Sequence, residues 1–183
     1  MDKSVVYNAR DAVWKGMGGD SKSACAGYCY RMAKYIKTGN FINSGGGNCG
    51  TQTYESSLIS LGWNKILEIP SLTRKELIDR IVSHQDVEVG DIIEYKCLSP
   101  CDYDNAYVYG HTQMYFGGKT WESSQNWNYQ CQFVYQSYGS NKQWRYKVFR
   151  FNGTPSPSGY GCTPQQDYEN YEANVQVQAI IYF

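Results

Sequence analysis

Two residues of this chain have the types and positions needed for acyl transfer. Cys25 stands in "SACAGYCYRMAKYI", residues 23–36, where a helix is expected to begin. His111 directly follows Gly110 and opens "HTQMYFGG", where a strand is expected to begin. A cysteine attacks as its thiolate and needs a base or an imidazolium beside it. A helix N-terminus adds its dipole and its free N–H groups. Those N–H groups can also hold the oxyanion that forms when an amide carbonyl is attacked. The sequence has two histidines, and the other, His84, lies in the polar link "SHQDVEVG". The ordinary readings are that Cys25 is a small core residue and that His111 is a hydrogen-bonded strand end. Cys29, one helical turn after Cys25, is read as core.

The elements that must position this pair follow from spacing. Residues 3–15 carry apolar side chains at 5, 6, 9, 12 and 13, the pattern of a helix. "KGMGGDSKS" reads as a Gly/Ser loop. From Ala24 a second helix presents 25, 28, 29, 32, 35 and 36 on one face and ends near "KTGN", with Ser23 or Ser21 as its N-cap. "FINSGGGNCGTQ" is glycine-rich but lacks the Lys-Ser/Thr ending of a phosphate loop, so it reads as structural. "TYESSLISLG" is a short helix stopped by Gly62, and "WNKILEI" is a strand. "SLTRKELIDRIVSH" is a helix capped by Ser71 or Thr73. The strands "VEVGDIIEYKCL", "GHTQMYFGG", "KTWESSQNW", "QCQFVYQSY" and "QWRYKVFRF" follow.

This order predicts an α+β fold, with N-terminal helices packed on an antiparallel β-meander. Residues 1–153 form the expected domain. Residues 154–183 are a Pro/Gly/Tyr-rich tail whose alternation at 175, 177, 179, 181 and 183 suggests a last strand, joining the sheet edge or a partner. No internal repeat is present.

Composition narrows the function classes. Seventeen basic and seventeen acidic residues cancel and no basic stripe stands out, which argues against nucleic acid as the main partner. Hydrophobic residues at 42% and charged residues at 19% are the balance of a globular chain. No apolar run approaches the ~20 residues of a membrane span, and "MDKSVVYNARDAVW" lacks the apolar stretch of a signal peptide. Action outside a cytoplasm would therefore require release by other machinery. Eighteen tyrosines and five tryptophans suit either stacking on sugars or a Tyr-padded β-rich core, and their clustering in expected strands favours the core.

The cysteines, 25, 29, 49, 97, 101, 131 and 162, are odd in number, so full pairing would leave one thiol over. Reduced thiols are the default without an export signal. Cys97-x3-Cys101 has zinc-ligand spacing that Cys49, Cys131 or Cys162 could complete, and a Cys97–Cys101 loop disulfide is a further alternative. Free thiols are the favoured reading.

"AVWKGMGGDSKSACAGYCYRMA" resembles the nucleophile region of NlpC-type and CHAP-type cell-wall cysteine peptidases. In those families an aromatic-plus-Gly loop precedes a Cys-small-Gly-aromatic helix start. The counterparts here are Trp14 and Gly16, then Cys25, Ala26, Gly27 and Tyr28. "VGDIIEY" followed by "GHTQMYFGGKTW" resembles their second signature, and "YESSLISLGWNKI" resembles the stretch between the two in phage-type CHAP proteins. The resemblance runs over residues 10–150 in the family's order. Two departures stand out: Ala24 occupies the place of the usual NlpC-type Asp, and the spacer from Asp91 to His111 is long and carries Cys97 and Cys101.

The resemblance implies a papain-like cysteine hydrolase that cleaves a peptide or amide bond in bacterial peptidoglycan through Cys25 and His111, without metal or cofactor. It implies a third residue that orients the imidazole. Glu122 is preferred; Ser123, Ser124, Asn126 and Gln113 are the alternatives. The Cys25 N–H would form part of the oxyanion hole, with a side chain from residues 7–14 supplying or shaping the rest. Implied partners are stem peptides and a virion, immunity or carrier protein, as for a phage lysin, a virion enzyme or a secreted antibacterial effector. Two other classes compete: a non-catalytic wall-binding or virion structural module of CHAP-like fold, and a cysteine protease acting on a protein.

Overall fold

Apolar spacing decides where the helices lie. In the computed structural model, which describes residues 1–17, 25–99, 110–117, 120–121 and 141–156, Val6, Ala9 and Val13 line the buried side of α1 (Lys3–Gly16). Asp2 caps that helix, its carboxylate accepting the Ser4 N–H at 2.8 Å. Helix α2 (Cys25–Thr38) buries Tyr28, Cys29, Met32, Ala33 and Ile36 and packs against α1. The Tyr28 hydroxyl donates to the Arg10 carbonyl at 3.1 Å, fixing the crossing of the two helices. The short α3 (Gln52–Ser60) starts at Thr51, whose side chain accepts the Tyr54 N–H. α4 (Arg74–Ser83) starts at Thr73 with a reciprocal capping box to Glu76. Thr73 is thus the cap, rather than Ser71.

The remaining described elements are strands β1 (Trp63–Thr73), β2 (Ile92–Cys97), β3 (Gly110–Tyr115), β4 (Thr120–Trp121) and β5 (Gln143–Phe151). They form one sheet in the order β1-β5-β2-β3-β4, antiparallel throughout. The fold is α+β. The expected meander holds only for β2-β3-β4. β5 returns to lie between β2 and β1, and β1 enters the sheet before α4 rather than after the helices. Strand pattern reveals which residues are extended, but the insertion of β5 rests on long-range pairing, Trp63 with Phe151 and Thr73 with Gln143.

β1 also runs past "WNKILEI" through Pro70. Proline is tolerated there because β1 is an edge strand and the register shifts between Ile69 and Leu72. The expected strand "QCQFVYQSY", most of "KTWESSQNW" and the C-terminal strand lie outside the described residues. Ser156, three residues past the expected domain end at 153, still donates its N–H to the Ile36 carbonyl of α2 at 2.8 Å.

Both sheet faces are covered. Alternation sends Ile92, Met114 and Phe149 into the core shared with α1, α2 and α3. Ile93, Tyr95, Tyr146 and Val148 point the other way, against Leu77 and Ile81 of α4. The pair Gly90–Asp91 locks the entry to β2. Gly90 N–H donates to the Tyr115 carbonyl, and Tyr115 N–H donates to the Asp91 carbonyl, both at 2.8 Å. The Asp91 carboxylate accepts from Arg150 of β5 at 2.8 to 3.1 Å. This residue pair therefore sets the register of β2 against β3, which places His111 opposite Tyr95.

Gly62 ends the α3 turn with φ of +96°. A Cβ there would also meet the Phe151 ring at 3.2 Å. Gly62→Ala is expected to lower stability by about 1 kcal/mol or more, read as a lower urea midpoint at unchanged slope. Among the described residues no helix is long and apolar enough to cross a membrane.

Candidate active site

The helix start and the strand start meet. α2 lies on β3. One turn into α2, the buried Cys29 thiol approaches the Thr112 carbonyl at 3.7 Å. That contact seats the first turn of the helix over the first residues of the strand. Cys25 is therefore presented at the N-terminus of α2, half-buried and free. There the helix's leading N–H groups have no partners within the helix.

His111 is the second residue of β3 and is 9% exposed, so the imidazole is nearly out of water. Its ring lies 5.6 Å from that of Tyr95 on the neighbouring strand. His111, Cys49 and the Thr112 backbone all lie close enough to Cys25 to act on its titration.

These contacts decide where the charge sits. The Cys49 hydrogen bond does most to hold the Cys25 thiol well below the ordinary range. Burial opposes that shift, and His111 reinforces it by hydrogen bond and by charge. Cys49 moves the other way, well above the ordinary range. Its causes are the same hydrogen bond to Cys25, burial, and the negative charge of Cys25 and Glu94 around it. Of the two thiols, Cys25 is therefore the one whose thiolate is favoured. A thiol lowered in this way beside an imidazole is the arrangement a cysteine nucleophile needs.

Cys49 itself is held by the loop ahead of α3. The Gly50 N–H donates to Glu94 Oε2 at 2.9 Å, and Lys96 Nζ donates to the Gly50 carbonyl at 3.3 Å. Glu94 is 1% exposed, and burial raises its carboxyl above the usual range. On the strand side, Gly110 lies against Cys49: a Cβ there would stand in ordinary contact, 3.4 Å from its sulfur.

Of the residues expected from sequence, Cys25 and His111 come together. Glu122, Ser123, Ser124 and Asn126 lie outside the described residues. Gln113, two positions after His111, shares its side of β3 and is fully buried. In α1, the Tyr7 ring packs edge-on against Phe116 at 5.2 Å, so this residue serves the packing of α1. Cys97 is in a disulfide, so it offers no thiolate to a metal and is not a free thiol; its partner lies outside the described residues. Among the described residues no group of three or more His, Cys, Asp and Glu is placed to hold a metal ion.

Sequence reasoning missed Cys49 and Glu94. Cys49 was hidden in a glycine loop read as structural, although a cysteine between Asn48 and Gly50 is itself a signal. Glu94 was the other clue, a carboxylate set into the apolar strand "DIIEY".

Brief iodoacetamide treatment at neutral pH should label Cys25 ~10-fold or more faster than Cys29, because Cys25 is the accessible thiolate and Cys29 is sealed in the core. Peptide mass spectrometry separates the two. Equal labelling would contradict the assigned charge state.

No family model matches the chain, no curated protein matches it, and no solved structure matches it.

Proposed function

We propose that this chain is a papain-like cysteine hydrolase of the CHAP/NlpC kind, cleaving a peptide or amide bond in bacterial peptidoglycan. The observation that carries the reading is Cys25 at the N-terminus of a helix that lies on the strand whose second residue is His111, with His111 helping to lower the Cys25 thiol. The resemblance of two sequence stretches to signatures of those peptidases supplies the substrate class.

Cys25 sulfur attacks the amide carbonyl. The carbonyl oxygen takes the negative charge and is received by the backbone N–H of Cys25 at the start of α2. His111, protonated in the resting pair, gives its proton to the leaving amine as the C–N bond breaks, and a thioester remains on Cys25. The neutral imidazole then takes a proton from water, which attacks the thioester. The acid leaves, and the thiolate and imidazolium are restored. Cys49 donates its S–H hydrogen bond to the resting thiolate and keeps its own proton through the cycle. A third residue that orients the imidazole completes the site, with Glu122 preferred on the resemblance. In this reading the enzyme is made in one cell and released onto walls, as a lysin, a virion enzyme or an antibacterial effector.

The test is digestion of purified peptidoglycan of several wall chemotypes by wild type and Cys25→Ala, with soluble fragments identified by mass spectrometry. The expected result is new stem-peptide or sugar–peptide fragments with wild type alone. No new fragment from any chemotype would overturn the wall substrate. Fragments from both proteins would overturn the role of Cys25.

A further inference from the structure

Cys25 and Cys49 are neighbouring thiols in the site, and the hydrolytic cycle uses only one of the two sulfurs covalently. Both are free and half-buried, unlike the fully buried Cys29. The Cys29–Thr112 contact seats α2 on β3, and the Cys49 sulfur lies against Gly110 at the start of the same strand, so Cys25 and Cys49 gather at one point, each the strongest influence on the other's titration. Cys49 sits in the loop between α2 and α3, outside any helix or strand, so its sulfur can close on Cys25 without disrupting a backbone ladder. No side chain intrudes from Gly110 beneath it.

We propose that Cys25 and Cys49 are a redox pair, joined by hydrogen peroxide into a reversible disulfide that switches the thiol site off. The off-switch rests on the hydrolase reading; the disulfide itself does not. Cys25 is the peroxide-reactive member because it stands at the N-terminus of α2, where a thiolate is favoured, and Cys49 is the resolving member because it is the adjacent thiol.

In the first step the Cys25 thiolate attacks one peroxide oxygen. An S–O bond forms, the O–O bond breaks and hydroxide leaves. Sulfur is oxidised by two electrons to the sulfenic acid, and peroxide is reduced. In the second step Cys49 loses its proton and attacks the Cys25 sulfur. The S–S bond forms, the S–O bond breaks, and the departing hydroxide combines with a proton as water. The sum is two thiols plus one hydrogen peroxide giving one disulfide and two waters. A dithiol reverses it by exchange and is itself oxidised to its cyclic disulfide. While the disulfide stands, no thiolate is available for acyl attack.

The experiment treats the reduced full chain with hydrogen peroxide, blocks remaining thiols with iodoacetamide and maps non-reduced tryptic peptides. The expected product links the peptide of residues 23–31 to the peptide carrying Cys49, with two hydrogens lost. Fragment ions must place the link at Cys25, because Cys29 shares that peptide. Dithiothreitol should abolish the link. In Cys49→Ser the same dose should carry Cys25 on to sulfinic acid, which dithiothreitol does not reverse. Wild-type Cys25 recovered as sulfinic acid, or linked to another cysteine while Cys49 is alkylated, would overturn the pair. Wall hydrolysis is measured in parallel and should fall with the linked fraction and return on reduction. If the link forms and reverses but the reduced protein cleaves no wall, the redox pair stands and the wall-hydrolase reading fails. If the reduced protein cleaves walls and no link forms, the reverse holds.

Discussion

Cys25→Ala should reduce wall hydrolysis to background, and His111→Gln should reduce it by about 10⁴-fold, the scale of loss when one member of a nucleophile–base unit is removed. The two losses should not add. With the imidazole gone, Cys25 loses its acid for the leaving amine, and without Cys25 nothing forms the thioester. The expected pattern is therefore a double variant no worse than Cys25→Ala. Cys25 is half-buried and replacing its sulfur by hydrogen leaves the helix intact, so its urea midpoint should stay near that of wild type. His111 is nearly buried, and glutamine retains polar atoms for the site. The measurement is the initial rate of fragment release. A His111→Gln rate within a factor of a few of wild type would contradict the role of the imidazole.

The largest stability effect is expected at the buried ion pair beneath the site. Lys147 of β5 and Glu55 of α3 bond across the interface of helix and sheet, both almost fully buried. Glu68 stands 3.7 Å from the same ammonium. Lys147→Met leaves the Glu55 carboxylate in an apolar setting without its cation. It should cost about 3–5 kcal/mol, the range for removing one partner of a buried pair. Lys147→Met combined with Glu55→Leu should recover part of that loss, because the Glu55 charge leaves with its partner while Glu94 stays buried beside them. Urea denaturation of the three variants measures it. A Lys147→Met cost below about 1 kcal/mol would show the pair to be solvated rather than buried. The pair also bears on chemistry, since α3 follows the Cys49 loop and its seating on the sheet helps hold that loop beside α2.

Much of this was legible in the sequence because it is local. Val6, Ala9 and Val13 recur at helical spacing, and the Thr73–Glu76 box marks a helix start wherever it occurs. Cys25 and His111 each stand at the first turn or first residues of an element. Topology needed only to bring one helix start onto one strand start. The sheet order was not legible, because β1 and β5 pair across nearly half of the chain and the alternation of both suits several neighbours. Cys49 escaped for a related reason: its meaning comes from Cys25, a loop and a helix away, while its own neighbours signal only a turn. Glu94 was likewise visible as an odd carboxylate in a strand, but its partner, the Gly50 N–H, is a backbone group that residue types do not announce.

The central claim is that Cys25 rests as a thiolate, held by Cys49 and His111. The most direct measurement is the rate of Cys25 alkylation by iodoacetamide against pH, followed by peptide mass spectrometry in wild type, Cys49→Ala and His111→Gln. Cys25 has its pKa lowered in the fold, so its reactivity should persist as pH falls through neutrality and be lost only well below the ordinary thiol value of about 8.5. In each variant the midpoint should move up toward that value. A wild-type midpoint at or above it, unmoved by either substitution, would contradict the account.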